Sequence, residues 1–203
     1  FFQADDGIRD SVASRGLGDV YKRQVPKYAF VTKGVGTSKE KLTSFEMALR
    51  NADIAQYNLV KVSSIMPPHT EIITKKRGLK KLSAGQIVYV VLSESSTNEP
   101  ERRIAASIGI ALPVDRSKHG YLSEHHSYGQ SKKASGEYAE DLAAYMLATT
   151  IGAPFDIDKN YNEQKDIWKI SGHTVKTQEI TSTAEGPKDK SWVTVISAVV
   201  FII

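Results

Sequence analysis

The chain has 203 residues, of which 40% are hydrophobic and 25% charged, enough apolar material for one domain with its own core and too ordinary a mixture for a disordered or fibrous protein. It contains no cysteine, which excludes disulfides and thiolate metal sites and leaves the redox compartment open, with a cytoplasmic setting as the default. A net charge of +4 does not make a nucleic-acid binder, because Lys75-Lys76-Arg77, Lys80-Lys81 and Lys132-Lys133 are scattered among acids with no aromatic residues interleaved.

Residues 1–24 show neither helical nor strand periodicity and hold no apolar core of signal-peptide length; they read as a non-native or disordered leader, with the domain at 25–203. Residues 28–33 predict a strand, and Gly34 and Gly36 predict a turn into a polar loop where backbone approaches a ligand. No Gly-Lys-Ser/Thr follows, so a phosphate loop is excluded. Residues 43–53 predict a helix whose apolar stripe is Phe45, Ala48, Leu49 and Ala52, and Thr43 with Glu46 fits a capping box. Residues 59–62 predict the next strand, ended by Ser63-Ser64 and then Pro67-Pro68.

Further on, residues 87–92, 104–112 and 121–126 predict strands, the second alternating isoleucine with small residues that allow close packing. Residues 135–150 predict an alanine-rich helix that Gly152 and Pro154 end. Segments 166–183 and 192–203 complete a strand-rich C-terminal part around a turn at 185–190. The last segment is the most hydrophobic, yet it is shorter than the roughly 20 residues of a membrane helix and rich in β-branched types, so it reads as a buried strand. Helices flanking several strands without regular alternation predict an α+β fold over a doubly wound parallel sheet.

The serine pair admits two readings. Ser-Ser before Ile65-Met66-Pro67-Pro68 suits a strand that runs into an extended turn, since proline biases its predecessor away from the helical region. It also suits self-cleavage. Attack by the Ser64 hydroxyl on the Ser63 carbonyl turns the peptide into an ester, elimination leaves dehydroalanine, and hydrolysis leaves a pyruvoyl group. Such a ketone can form a Schiff base with a substrate amine and act as an electron sink.

The run from Asn58 to Pro68, preceded by residues 44–54 and followed by Gly120 to Glu124, resembles the pyruvoyl-dependent arginine decarboxylase family, and the resemblance extends from about Tyr28 to the C-terminus. It implies a four-layer αββα sandwich, a single domain self-cleaved into a β chain ending at Ser63 and an α chain starting from Ser64. It also implies a covalent pyruvoyl cofactor made from Ser64, and a homotrimer of cleaved protomers with each pocket shared between neighbours. The implied reaction converts L-arginine to agmatine and carbon dioxide.

By the same resemblance Asn58 assists processing, as an amide that polarises the scissile carbonyl, against the plainer role of a satisfied strand-edge residue. Glu124 is the catalytic glutamate, expected as a carboxylic acid held neutral by an apolar pocket, against the plainer role of a surface strand residue. Glu46 stands where the family has an aspartate that pairs with the guanidinium, so this role competes with the capping box for one side chain. Leu49 and Ile65 match pocket-lining positions and are equally natural core residues. The extra methylene of Glu46 leaves lysine or ornithine as alternative substrates, and an unprocessed amino-acid-binding oligomer is the alternative without turnover. His125 and His126 follow Glu124 outside the family pattern, and either is a candidate proton donor. No metal site is expected: His69, His119, His125, His126 and His173 form no i, i+4 pair. There is no Gly-x-Ser-x-Gly elbow either.

Overall fold

Runs of valine and isoleucine set much of the backbone as strand, and the computed structural model describes residues 25–152, 167–170 and 173–203. The expected leader and the Pro154 stop lie outside the described residues. In chain order the elements are β1 (Tyr28–Ser38), α1 (Lys41–Asn51), β2 (Asn58–Lys61), β3 (Ile65–Met66), β4 (Glu71–Ile72), α2 (Lys75–Leu79) and β5 (Ile87–Thr97). They continue with β6 (Arg103–Pro113), β7 (Gly120–Tyr128), α3 (Lys132–Thr150), β8 (Ile167–Ile170), β9 (His173–Glu185) and β10 (Trp192–Ile202). The fold is α+β, as expected from the irregular alternation of helices and strands.

The strands form two five-stranded sheets, ordered β2-β5-β10-β1-β4 and β3-β7-β6-β9-β8. The apolar C-terminal segment is β10, buried along nearly its whole length between β5 and β1. Its β-branched side chains fill both faces of a central strand, which is why it reads as a continuous apolar run. One core gathers residues of both sheets: Ala29, Val91, Val199 and Phe201 from the first, and Met66, Ile108, Ile110 and Leu122 from the second. The predicted stripe of α1 packs Ala48, Leu49 and Ala52 on Phe30, Val90 and Ile196 of the first sheet. Helix α3 packs Ala143, Ala144, Leu147 and Ala148 on Ala111 and Val175 of the second. No helix among the described residues is long and apolar enough to cross a membrane.

Gly34 and Gly36 do not make the expected turn, because β1 runs straight through them to Ser38. A Cβ on Gly34 would stand 2.1 Å from the Ala48 carbonyl oxygen, and one on Gly36 would stand 2.2 Å from that of Ser44. These glycines let the α1 backbone lie directly on the strand, and no other residue type fits there. The capping box also fails to form. Helix α1 begins at Lys41 with Glu40 as a cap that makes no side-chain bond, which places Thr43 inside the first turn. Three short elements were not foreseen: β3 and β4, defined only by their partner strands, and α2, capped by Thr74 accepting from the Arg77 amide at 3.4 Å.

Polar side chains cross between the sheets. Lys33 lies opposite Ser197 in the β1–β10 register, and Ser197 lies opposite Ser93 in the β10–β5 register. Each donates to a backbone carbonyl of the facing sheet: Lys33 Nζ to Thr181 O at 3.1 Å, Ser197 Oγ to Ala106 O at 2.8 Å, and Ser93 Oγ to His125 O at 2.8 Å. The acceptors belong to β9, β6 and β7, three adjacent strands. Ser182 Oγ returns a bond to Gly34 O at 3.1 Å. This seam sets the relative position of the sheets in a way that apolar contact alone, being non-directional, does not. Partial burial, and then the nearby Lys132, pull the Lys33 ammonium below the usual lysine range.

A Gly34→Ala substitution should destabilise the fold by about 3 kcal/mol, because helix backbone cannot step aside as a side chain would; chemical denaturation of the soluble variant measures it. A second expectation concerns Asp141 on α3, whose Oδ1 is buried without a hydrogen-bond partner among the described residues and whose carboxyl is pushed up to about 6 by burial, with Glu140 and Glu137 adding to it. The unfolded chain ionises first as pH rises, so the native state loses stability between about pH 4 and pH 6. Asp141→Asn should therefore raise the unfolding midpoint at pH 8, and the gain should vanish near pH 4.

Candidate active site

The serine pair sits where the chain leaves one sheet for the other. Pairing of β2 with β5 continues past its end through Val62 N–H to Val90 O at 2.9 Å. Ile65 and Met66 then pair with Tyr121 and Gly120 of β7 in the second sheet. Met66 is 1% exposed and anchors this second attachment in the core between the sheets. Ser63 and Ser64 span the crossing, and the two prolines that follow stop β3 from extending.

Ser64 is held at three points. Its carbonyl accepts from the Leu122 amide at 2.8 Å. Its hydroxyl donates to Glu124 Oε2 at 2.6 Å, the short length of a charge-assisted bond. The Ser63 carbonyl accepts from the Ile65 amide at 2.9 Å, closing a three-residue turn around Ser64. A nucleophile hydrogen-bonded to a carboxylate thus neighbours a carbonyl that is already bound to a backbone donor, which are the parts an acyl shift needs. Glu124 stands on β7 opposite Ile108 and is exposed. The apolar enclosure expected around it is not supplied by the described residues, which leave Glu124 exposed.

The other expected residues are dispersed. Asn58 begins β2, and its side-chain amide donates to Gly85 O at 2.7 Å, so in this chain the donor on the Ser63 carbonyl is the Ile65 amide. Glu46 pairs with Arg50 Nε at 2.9 Å one turn along α1, a better-placed partner than the Thr43 amide of the unformed capping box. It lines an open cavity of about 490 Å³ with Arg50, Asp53, Ala55, Gln56 and Leu79. Leu49 is 8% exposed and belongs to the core beneath α1. Ile65 is 38% exposed and lines a separate cavity of about 450 Å³ with Val62, Ser63, Pro67, Tyr89, Phe201 and Ile203. Glu46 and Ser63 therefore face different cavities of one chain.

Of the two histidines, His125 bonds Gln130 Oε1 at 2.9 Å through Nε2 and stacks on the Tyr138 ring at 4.5 Å, on the face opposite Glu124. His126 is exposed on the Glu124 face. Sequence reasoning missed Tyr89. Its signal was the alternation of β5, where Val88 and Val90 are buried and the residue between them is not. Among the described residues no group of three or more histidine, aspartate or glutamate side chains converges on a metal site.

A family profile described as pyruvoyl-dependent arginine decarboxylase matches residues 28–203. The chain belongs to the pyruvoyl-dependent arginine decarboxylase family. It is 51% identical over 179 residues to the pyruvoyl-dependent arginine decarboxylase of Methanococcoides burtonii, covering 88% of this chain and 99% of that protein. The enzyme of that name from Nitrosopumilus maritimus is 49% identical, covering 88% and 98%. Pyruvoyl-dependent arginine decarboxylase 2 of Methanosarcina acetivorans is also 49% identical, covering 88% and 97%.

Membership in this family calls for a pyruvoyl group formed from the chain itself, and the surroundings of Ser64 fit that origin: a half-buried hydroxyl on a carboxylate, and its neighbouring carbonyl on an amide. Glu124→Gln keeps a hydrogen-bond acceptor for Ser64 Oγ but removes the carboxylate. Appearance of cleaved fragments, followed by denaturing electrophoresis after synthesis, should slow on the order of 10²-fold.

Proposed function

We propose that the domain at residues 25–203 cleaves itself between Ser63 and Ser64 and then decarboxylates L-arginine to agmatine and carbon dioxide. The observation that carries this reading is the 2.6 Å bond between Ser64 Oγ and Glu124 Oε2. Glu124 takes the hydroxyl proton as Oγ attacks the carbonyl carbon of Ser63, and the Ile65 amide holds the charge that develops on that carbonyl oxygen. The bond from the Ser63 carbonyl to the Ser64 nitrogen breaks, the nitrogen is protonated, and an ester joins the two residues. Loss of the Ser64 α-proton then expels the Ser63 carboxylate from the β-carbon. Water replaces the nitrogen and ammonia leaves, giving a β chain that ends at Ser63 and an α chain that begins with the pyruvoyl group. Asn58 assists this processing at one remove, by tying the start of β2 to Gly85 O rather than by touching the Ser63 carbonyl.

The pyruvoyl group supplies an electron sink for the bond pair left when carbon dioxide departs. Glu124, released from the serine hydroxyl, is then free to hold a proton and return it to the α-carbon of the substrate. Glu46 receives the guanidinium, which matches a carboxylate through two parallel hydrogen bonds. Leu49 and Ile65 support the walls of the substrate pocket.

A homotrimer of cleaved protomers accompanies this proposal, with Glu46 of one protomer facing the Ser64-derived group of the next. The separation of the two cavities supports it, as does the apolar surface around the serine pair, where Val60, Ile65, Ile87, Tyr89 and Ile203 are 38–63% exposed. A four-layer αββα sandwich and a cytoplasmic location complete the reading; α1 packed on one sheet and α3 on the other support the layering.

Intact mass under denaturing conditions, with product assays on arginine, lysine and ornithine, tests the proposal. The wild-type chain should give two fragments and agmatine. Ser64→Ala should stay whole and inactive. A cleaved and active Ser64→Ala protein would end the pyruvoyl reading, turnover of lysine or ornithine alone would reassign the substrate, and a wild-type chain that never cleaves would favour an amino-acid-binding oligomer.

A further inference from the structure

We propose that Ser93 is a positioning residue that holds Glu124 against Ser64, an inference that rests on the roles assigned above to those two residues. The Ser64–Glu124 contact joins elements with different attachments. Ser64 follows Val62, whose amide hangs on Val90 of β5, while Glu124 belongs to β7 in the other sheet. Among the described residues β3 pairs with β7 at Gly120 and Tyr121 alone, and from Glu124 onward β7 has β6 as its one ladder partner and an open outer edge. An edge of this kind is free to shift unless something grips it.

Two hydroxyls grip it on either side of Glu124. Ser123 donates to the Ala139 carbonyl of α3 on one face. Ser93, 3% exposed, donates at 2.8 Å to the His125 carbonyl from the other. Strand β5 therefore holds both partners of the reactive contact: Val90 O fixes the approach to Ser64, and Ser93, three residues along the same strand, fixes the peptide next to Glu124. The spacing across a 2.6 Å hydrogen bond is thus referred to one rigid strand. Misplacement of a reacting group by about 1 Å costs on the order of 10²-fold in rate.

Ser197 supplies the control. It lies opposite Ser93 on β10, is fully buried, and makes the same kind of bond to Ala106 O on β6, a strand that carries neither Ser64 nor Glu124. The experiment compares Ser93→Ala with Ser197→Ala for thermal midpoint, rate of chain cleavage, and kcat and KM for arginine on the cleaved fraction. Both variants should lose similar stability. Ser93→Ala alone should slow cleavage and lower kcat, each by about tenfold, with KM little changed because Glu46 is untouched.

Cleavage and kcat of Ser93→Ala within about twofold of wild type, or an equal slowing by Ser197→Ala, would overturn the proposal. If Ser93→Ala gives no soluble protein, Ser93→Thr and Ser93→Val, alike in shape and differing in the hydroxyl, carry the comparison. Val should then be slower than Thr by about tenfold, and equal rates would overturn the proposal. Failure of the underlying reading has a separate signature: the wild-type chain stays uncleaved, or Glu124→Gln cleaves at the wild-type rate.

Discussion

The alignment of the two sheets is the constraint on which the rest of the structure depends. Apolar packing of Ala29, Val91, Val199 and Phe201 against Met66, Ile108, Ile110 and Leu122 supplies the attraction but tolerates sliding. The row formed by Lys33, Ser197 and Ser93 removes that freedom, because each donor must meet one carbonyl on the facing sheet. Leaving such a donor unpaired in the interior costs about 1–3 kcal/mol, so the aligned arrangement is favoured over its neighbours by several bonds at once. The crossing chain at Ser63 and Ser64 is then stretched between two fixed frames.

That crossing explains why the reactive groups meet. A serine at the end of an isolated strand would be one more solvated hydroxyl. Here Val62 is tied to the first sheet, Ile65 to the second, and the Ser64 carbonyl to Leu122, so the side chain stands within reach of Glu124. The Ile65 amide that closes the turn also occupies the carbonyl that the hydroxyl attacks in the proposed cleavage. Strand geometry, turn closure and the contact of Ser64 with Glu124 are consequences of the same hydrogen bonds. The exposed ion pairs contribute far less; Glu46 with Arg50 is a half-exposed i, i+4 pair of the kind worth roughly 0.3–0.5 kcal/mol.

Much of the fold was legible in local patterns. The β-branched runs marked β5, β6 and β10, the stripe of Ala48, Leu49 and Ala52 marked the buried face of α1, and the prolines marked the stop after the serine pair. Gly34 and Gly36 misled, because glycine signals a turn and a close backbone approach with the same letter, and only the position of α1 distinguishes them. Thr43 and Glu46 satisfied a capping pattern that an earlier helix start made irrelevant. Strands β3 and β4 have two residues each and no periodicity to read; they exist because β7 and β1 lie beside them.

For the site, the residue types were written in the sequence: two serines before a double proline, with a glutamate in a matching segment downstream. What the sequence by itself determined was where the chain extends, where it stops and which groups have the chemistry to react. Only the tertiary structure decided that Ser64 touches Glu124 across sixty residues of chain, that Asn58 is spent on Gly85, that Glu46 and Ser63 open into separate cavities, and that Ser93 reaches the peptide beside Glu124. The reason is physical: local propensity acts over a few bonds, whereas these distances follow from strand registers and sheet alignment, which the chain settles only when segments far apart in sequence pack together.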